Sequence, residues 1–368
     1  MTRNTNSSWA RLRLALALAT TIAATVFVSS TPSPLSVVGK QLLDASGQRV
    51  RLRGANCASL EWSDDGDGHI VKTFAVLVRD WHANLVRLPL GQDRWFGRAP
   101  GQADGGSGYR ALVKQLVGFC AANNVYIILD LHWSDAGEWG RHIGQHNLPD
   151  QNSVVFWHDL APLYKDNPAV LFDLYNEPAN TDWDHWFKGG RQVETDQETK
   201  EVLTYDSVGM QALVDAIRAT GANNVIVAGG INWAYQVDGI LDGRELSDPR
   251  GRGIVYAAHP YPHEYQGIGR ETIAQWTARM EAFARKLPII VTEFGSLSSD
   301  WPFPKDWNYT DEKWNREMIR VLEAQHWNWT AWDFHPAAKP CLISGWDYAP
   351  TPEFGLWVQR ALQNNVRP

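Results

Sequence analysis

At 368 residues the chain exceeds one ordinary domain, although a single (β/α) barrel can hold ~250 residues or more. A hydrophobic fraction of 44% provides a large core and sets the chain apart from disordered sequences. The net charge is -7, acids and bases are mixed along the chain and no basic patch stands out, which argues against nucleic acid as a partner.

In chain order, Arg3, Arg11 and Arg13 precede the apolar run Leu14 to Val28, and Ser29, Ser30, Thr31 and Pro32 follow it. A basic start, a short apolar centre and a small-residue exit describe a secretory signal over residues 1–30, and hence an exported mature chain, extracellular or periplasmic, with no stable membrane association. The run is short for a membrane span, which needs ~20 apolar residues, and an uncleaved anchor is the alternative. A β-hairpin is expected from Leu42–Leu43 and Val50–Leu52, turning around Asp44, Ser46 and Gly47. Apolar runs of strand length then end near Asn56, Leu88, His132, Asn176, Gly229, His259, Glu293 and Phe334, with helix-period segments between them. In one such segment Ile273, Trp276, Met280, Phe283 and Leu287 share a helical face; in another Leu112, Leu116, Phe119 and Cys120 do, with Asn123 and Asn124 as the exit.

Runs such as VYIILDL and PIIVTEF are almost continuously apolar, as parallel strands covered on both faces must be. Their ends fall roughly 30 to 55 residues apart, room for a βαβ unit and sometimes a long loop. Eight units predict an α/β fold, one (β/α)8 TIM barrel over residues 36–368 with the N-terminal hairpin attached. The competing doubly wound sheet wants a glycine-rich first turn, and GANCASLEW stands there instead.

In such a barrel chemistry gathers at the C-terminal ends of the strands. Polar residues sit at almost every one: Asn56, Arg87, His132, Asn176 with Glu177, His259 with Tyr261, Glu293, and Trp332 with Asp333. Any one alone reads equally well as an ion-pair partner, a satisfied histidine or a helix cap; at equivalent places in successive units they converge on one rim. Glu177 and Glu293 are the only glutamates so placed, on the fourth and seventh strands. Two carboxyls facing one cleft can divide the roles of acid and nucleophile, the division that glycosidic cleavage needs. Arg87 and Tyr261 could keep the nucleophile ionised. Asp130 and Asp173 are read as structural, aimed away from His132 and one residue short of the rim.

These motifs resemble family 5 glycoside hydrolases. LFDLYNEPAN is similar to the family signature, HPYP to its sixth-strand His-x-Tyr, VTEFG to the nucleophile strand and AWDF to the eighth-strand tryptophan. Arg87 in NLVRLPL and His132 in LDLHW match the remaining positions. The resemblance runs from about residue 38 to 365. It implies Glu177 as acid/base, Glu293 as nucleophile, Asn176 on the sugar 2-hydroxyl, His259 supporting the acid/base, Tyr261 the nucleophile, and Trp332 as the sugar-site floor. The implied activity is a retaining endo-β-1,4-glucanase without cofactor or metal, acting on a polysaccharide or oligosaccharide. A β-mannanase or another β-glucanase is the alternative within the family, and a carbohydrate-binding barrel without catalysis the distant one. Ala179 and Trp133 depart from the usual pattern, at positions that touch subsites rather than the pair.

Tryptophan is abundant, with 19 in the chain, and Trp62, Trp95, Trp133, Trp183, Trp186, Trp301 and Trp346 lie in polar surroundings. Indole faces suit pyranose rings, while ordinary packing is the bland alternative. The stretches Trp133 to Ser153 and Pro178 to Glu201 read as long loops whose Trp133, Trp183 and Trp186 would line subsites.

Other signals are set aside. SDDGDG, Ser63 to Gly68, lacks the last acid of a calcium loop and reads as a polar turn. His142 and His146 lack a HExxH frame, as do His259 and His263. Asn328-Trp329-Thr330 matches a glycosylation acceptor but lies in a strand. Cys57, Cys120 and Cys341 fit no zinc spacing; one disulfide is allowed, its pairing open.

Overall fold

The computed structural model describes residues 1, 31–196, 198–262 and 271–364. The signal reading and His263 lie outside them. Two short strands open the fold, β1 (Ser36–Val38) and β2 (Gln41–Leu43), paired antiparallel. The expected turn is present, with Leu43 bridging Arg49 and Val50 N donating to Leu42 O, but the partner strand of the hairpin is upstream rather than Val50–Leu52.

Eight parallel strands then close a barrel, the predicted (β/α)8 architecture. They are β3 (Arg53–Asn56), β4 (Leu85–Gly91), β5 (Tyr126–Trp133), β6 (Val170–Asp173), β9 (Ile226–Gly229), β10 (Ile254–Ala258), β11 (Ile289–Val291) and β12 (Asn328–Ala331). The expected helices form over Ser107–Ala122 and Ile273–Ala284, the second opened by a capping box between Thr272 and Gln275. Ile273, Trp276, Met280 and Phe283 are buried against the barrel, as their period requires.

Side-chain alternation explains the barrel interior. Leu85, Ile128, Leu171, Val227, Ala257 and Ile290 fill its lower part, and Leu35, Leu42 and Leu52 from the N-terminal segment close the floor. Two residues further along the same strands stand Arg87, Asp130, Asp173, Gly229, His259 and Thr292. A period of two keeps them on the inner face, so an apolar floor gives way to a polar layer at the C-terminal rim. This corrects the reading of Asp130 and Asp173. Asp130 precedes His132 by two residues and must point the same way.

The stretch from Pro178 to Glu201 is not a loop. It forms a helix over Trp183–Lys188 and the first strand of a second hairpin, β7 (Gly189–Thr195) with β8 (Val202–Val208). Along β7 and β8 the exposed and covered residues alternate, a weak two-strand signal that polar composition masks. The three cysteines are free thiols, Cys57 and Cys120 buried. Among the described residues no helix is long and apolar enough to cross a membrane.

Candidate active site

Arg87 organises the polar layer. Its Nε donates to Asp173 Oδ2 at 2.9 Å, Nη1 to Glu293 Oε1 at 2.6 Å and Asn56 Oδ1 at 3.1 Å, and Nη2 to Asn176 Oδ1 at 2.8 Å. Asp130 Oδ2 lies 3.0 Å from Nη2. One buried guanidinium thus meets three carboxylates. Burial disfavours its charge, but Asp130, Asp173 and Glu293 outweigh that and raise its pKa. Burial in turn pushes Asp130 and Asp173 up to about 7 despite the opposing pull of Arg87.

The two glutamates that the sequence singles out face each other past the ends of β6 and β11. One carboxylate oxygen of each, with a ring nitrogen of His259, falls within 4.8 Å of the others. This trio is also the one group among the described residues close enough to share a cation, yet its atoms already bond one another and their neighbours. Glu293 is buried, with Arg87 on one oxygen and the Tyr261 hydroxyl donating to the other at 2.6 Å. Burial raises the Glu293 carboxyl above its ordinary value, which Arg87, His132 and the Tyr261 hydrogen bond offset only in part; Glu177, without the last two, is raised further. Among the described residues Glu177 is hydrogen-bonded by neither an arginine nor a tyrosine: burial first, then Glu293, hold its carboxyl well above the usual range against a smaller pull from Arg87. Its side chain is 15% exposed and meets His259 Nδ1 at 2.8 Å, and His259 Nε2 meets Thr292 Oγ1 at 2.8 Å. Burial keeps His259 neutral, reinforced by Arg87 and His132. Two carboxyls in one cleft therefore sit in opposed environments: Glu293 ionises first and Glu177 keeps its proton.

His132 is likewise neutral, pushed down to about 3 chiefly by burial. Its Nε2 accepts from Asn176 Nδ2 at 3.2 Å, so Nδ1 carries the proton and donates to Asp130 Oδ2 at 2.6 Å. Trp332 stacks on the His132 ring, centroids 5.3 Å apart and planes 11° from parallel, and its indole N–H donates to Lys339 O. The structure thus brings Arg87, His132, Asn176, Glu177, His259, Tyr261, Glu293 and Trp332 to one rim. It adds Asp130, which the period of two from His132 could have disclosed, and Asp173 and Thr292, which lie on other strands: Asp173 follows only from its register opposite Asp130.

The tryptophans divide. Trp133 is half-buried and lies 6.3 Å from the equally half-buried Trp62, at the strand-three side of the rim. Trp186 is fully buried and donates from its indole nitrogen to Gly229 O at 2.9 Å, so it offers no face to a ligand. Trp183 packs edge-on to Trp186 and so close to Gly239 that a Cβ there would lie 2.2 Å from the indole nitrogen. Both pack against the end of β9 and the segment after it, and Trp95 is buried as well. Their polar sequence neighbours are the exposed face of a short helix, which a linear reading cannot tell from a loop. Trp186→Ala is therefore expected to cost about 3–5 kcal/mol of stability. Trp133→Ala should leave the melting temperature nearly unchanged and raise KM for long oligosaccharides. Thermal unfolding beside oligosaccharide kinetics separates the two effects.

A family model described as cellulase (glycosyl hydrolase family 5) matches residues 43–338, most of the chain and all eight barrel strands. The chain belongs to glycosyl hydrolase family 5. Its relatives include endoglucanase MaCel5A of Microbulbifer sp. (strain ALW1), 24% identical over 343 residues that cover 90% of this chain and 58% of the relative. Endoglucanase Z of Dickeya dadantii (strain 3937) is 26% identical over 272 residues, 73% of this chain and 53% of the relative. This family 5 chain thus spans little more than half the length of either. Among solved structures, the β-glucanase SdGluc5_26A of Saccharophagus degradans, crystallised with cellotetraose, superposes with a TM-score of 0.69 at 22% identity, covering 91% of this chain and 94% of that one. A β-mannanase of Streptomyces thermolilacinus gives 0.64 at 22% identity, covering 91% and 98%. At these identities the superpositions bear on the fold.

Proposed function

We propose that the chain is a retaining hydrolase of β-linked glucans, an endo-β-1,4-glucanase, with Glu177 as acid/base and Glu293 as nucleophile. The observation that carries this reading is the facing pair of carboxyls in opposed environments. The proton held on Glu177 passes to the glycosidic oxygen as the bond breaks. Glu293, ionised against Arg87 and Tyr261, attacks the anomeric carbon and forms a glycosyl ester. Glu177, now a carboxylate, takes a proton from the incoming water, which attacks the same carbon and releases Glu293. Asn176, locked by Arg87 and His132, faces the sugar 2-hydroxyl, and Trp332, backed by His132, supplies the floor. Trp133 and Trp62 extend the sugar-binding surface beyond the reacting ring. In the same reading residues 1–30 direct export, and the mature chain meets its polysaccharide outside the cell.

The approach of Glu177 and Glu293, with one carboxylate oxygen of each within 4.8 Å of the other, supports retention, because inverting pairs stand ~6.5–9.5 Å apart to admit a water. The new reducing end should appear first as the β-anomer in an NMR time course; the α-anomer first would contradict the pair. Initial rates on carboxymethylcellulose, mixed β-glucan, glucomannan and mannan test the substrate. A preference for mannan would replace the glucanase reading with the mannanase one, and turnover of none would overturn hydrolysis.

A further inference from the structure

The residues assigned to proton transfer lie past the end of their strand. β6 stops at Asp173; Leu174 N still reaches Val227 O and Asn176 N reaches Leu131 O, both at 3.0 Å. The next backbone groups are met by the segment after β5 instead. Gln145 Nε2 donates to Glu177 O at 2.9 Å, and Ala179 N donates to Asn147 O at 2.9 Å. The 145–147 segment therefore gives this stretch the hydrogen bonds that a neighbouring strand gives a ladder.

Gln145 also makes a contact that a strand would not. Its Oε1 accepts from Asn176 Nδ2 at 3.1 Å, while Nε2 donates to His146 O at 3.2 Å as well. The amide cannot turn over without opposing like groups at each contact. One half-buried side chain thus holds the main chain of Glu177 and the side chain of Asn176 together. The segment is itself held from the second hairpin: Glu194 of β7 accepts from Asn147 N at 2.8 Å and pairs with His146 Nδ1. Tyr205 of β8 donates to Leu148 O at 3.0 Å.

We propose that Gln145 is a positioning residue for the Asn176–Glu177 pair, and that the β7–β8 hairpin serves the pair by holding Gln145 through Glu194. This rests on the assignment of Glu177 as acid/base. Gln145 touches neither its carboxyl nor the sugar; it fixes the peptide from which the carboxyl projects. Its loss misplaces the acid and leaves Arg87, Tyr261 and Glu293 in place, so it weighs most where the leaving group needs a proton.

The test compares the full chain with Gln145→Ala on phenyl and 2,4-dinitrophenyl β-cellobioside. The variant should lose about ten-fold or more in kcat/KM, which reports the first step, on the phenyl substrate and less than about three-fold on the dinitrophenyl one. The alkaline limb of the pH profile of kcat/KM should move. Glu194→Gln should show the same split in smaller measure. If Gln145→Ala does not fold, Gln145→Met, of equal length but without donor or acceptor, is held to the same criterion. Equal losses on both substrates, or none, with the alkaline limb unmoved, overturn the role of Gln145 and leave the hydrolase reading standing. A wild-type chain that cleaves neither substrate overturns both.

Discussion

Glu293→Ala is expected to lower kcat by about 10^4-fold or more on every substrate, because no glycosyl ester forms and nothing replaces it. The loss should be the same for activated and unactivated aryl glycosides. Glu177→Ala should differ: unactivated substrates lose most, while a dinitrophenyl leaving group departs without a proton and loses little in the first step. The pH profile follows from the same pair. Glu293 must be ionised, so the rate falls as the pH drops through its pKa. Glu177 must hold its proton, so the rate falls as the pH rises through a pKa held well above the ordinary carboxyl range by burial and by Glu293. Glu177→Gln should abolish that alkaline limb. Steady-state kinetics across pH on the two leaving groups checks all three, and a Glu293→Ala variant with near wild-type turnover would end the assignment.

Arg87→Met should be the most destabilising change at the rim. It leaves Asp130, Asp173 and Glu293 buried without their cation, and removing one partner of a buried ion pair costs about 3–5 kcal/mol. The melting temperature at neutral pH should fall by about 4 °C or more. The defect should shrink in acid. In the wild type burial already lifts Asp130 and Asp173 to about 7, and without the arginine they hold protons still more firmly. Groups whose folded pKa lies above the unfolded value lose stability as the pH rises from the unfolded value through the folded one. The gap between variant and wild type should therefore be smaller at pH 5 than at pH 8 in thermal unfolding. A gap that widens in acid would contradict the charge argument. Turnover should collapse even where the variant folds, since Glu293 loses the charge that keeps it ionised.

The carboxyl pair was legible because each glutamate ends an apolar run, and a buried strand ending in an acid is a local signal. Arg87, His132, Asn176, His259, Tyr261 and Trp332 were legible for the same reason. Asp130 was misjudged although the same alternation puts it inside the barrel, since it stands two residues before His132; Asp173 is there by its register opposite Asp130, which strand pairing decides and no local count gives. Trp183 and Trp186 show a different failure. Amphipathic short helices and strands carry polar residues on one face, and their composition resembles a loop until something covers the other face. What covers it here is the end of the fifth barrel strand and the segment after it, at Gly229 and Gly239.

By itself the sequence determined the class of fold, through the period of its apolar residues and the spacing of its strand ends. It also determined which residues reach the rim, because a side chain's face on a strand depends only on its place in the alternation. The tertiary structure decided what those residues are to one another. That Glu293 takes both Arg87 and Tyr261 while Glu177, among the described residues, meets a neutral histidine is what would divide the proposed roles between them. No local pattern holds this, because the partners come from different strands, 206 residues apart for Arg87 and Glu293 and 82 for Glu177 and His259. The pKa of a buried carboxyl depends on the charges within a few ångströms of it, and only closure of the barrel brings those charges together.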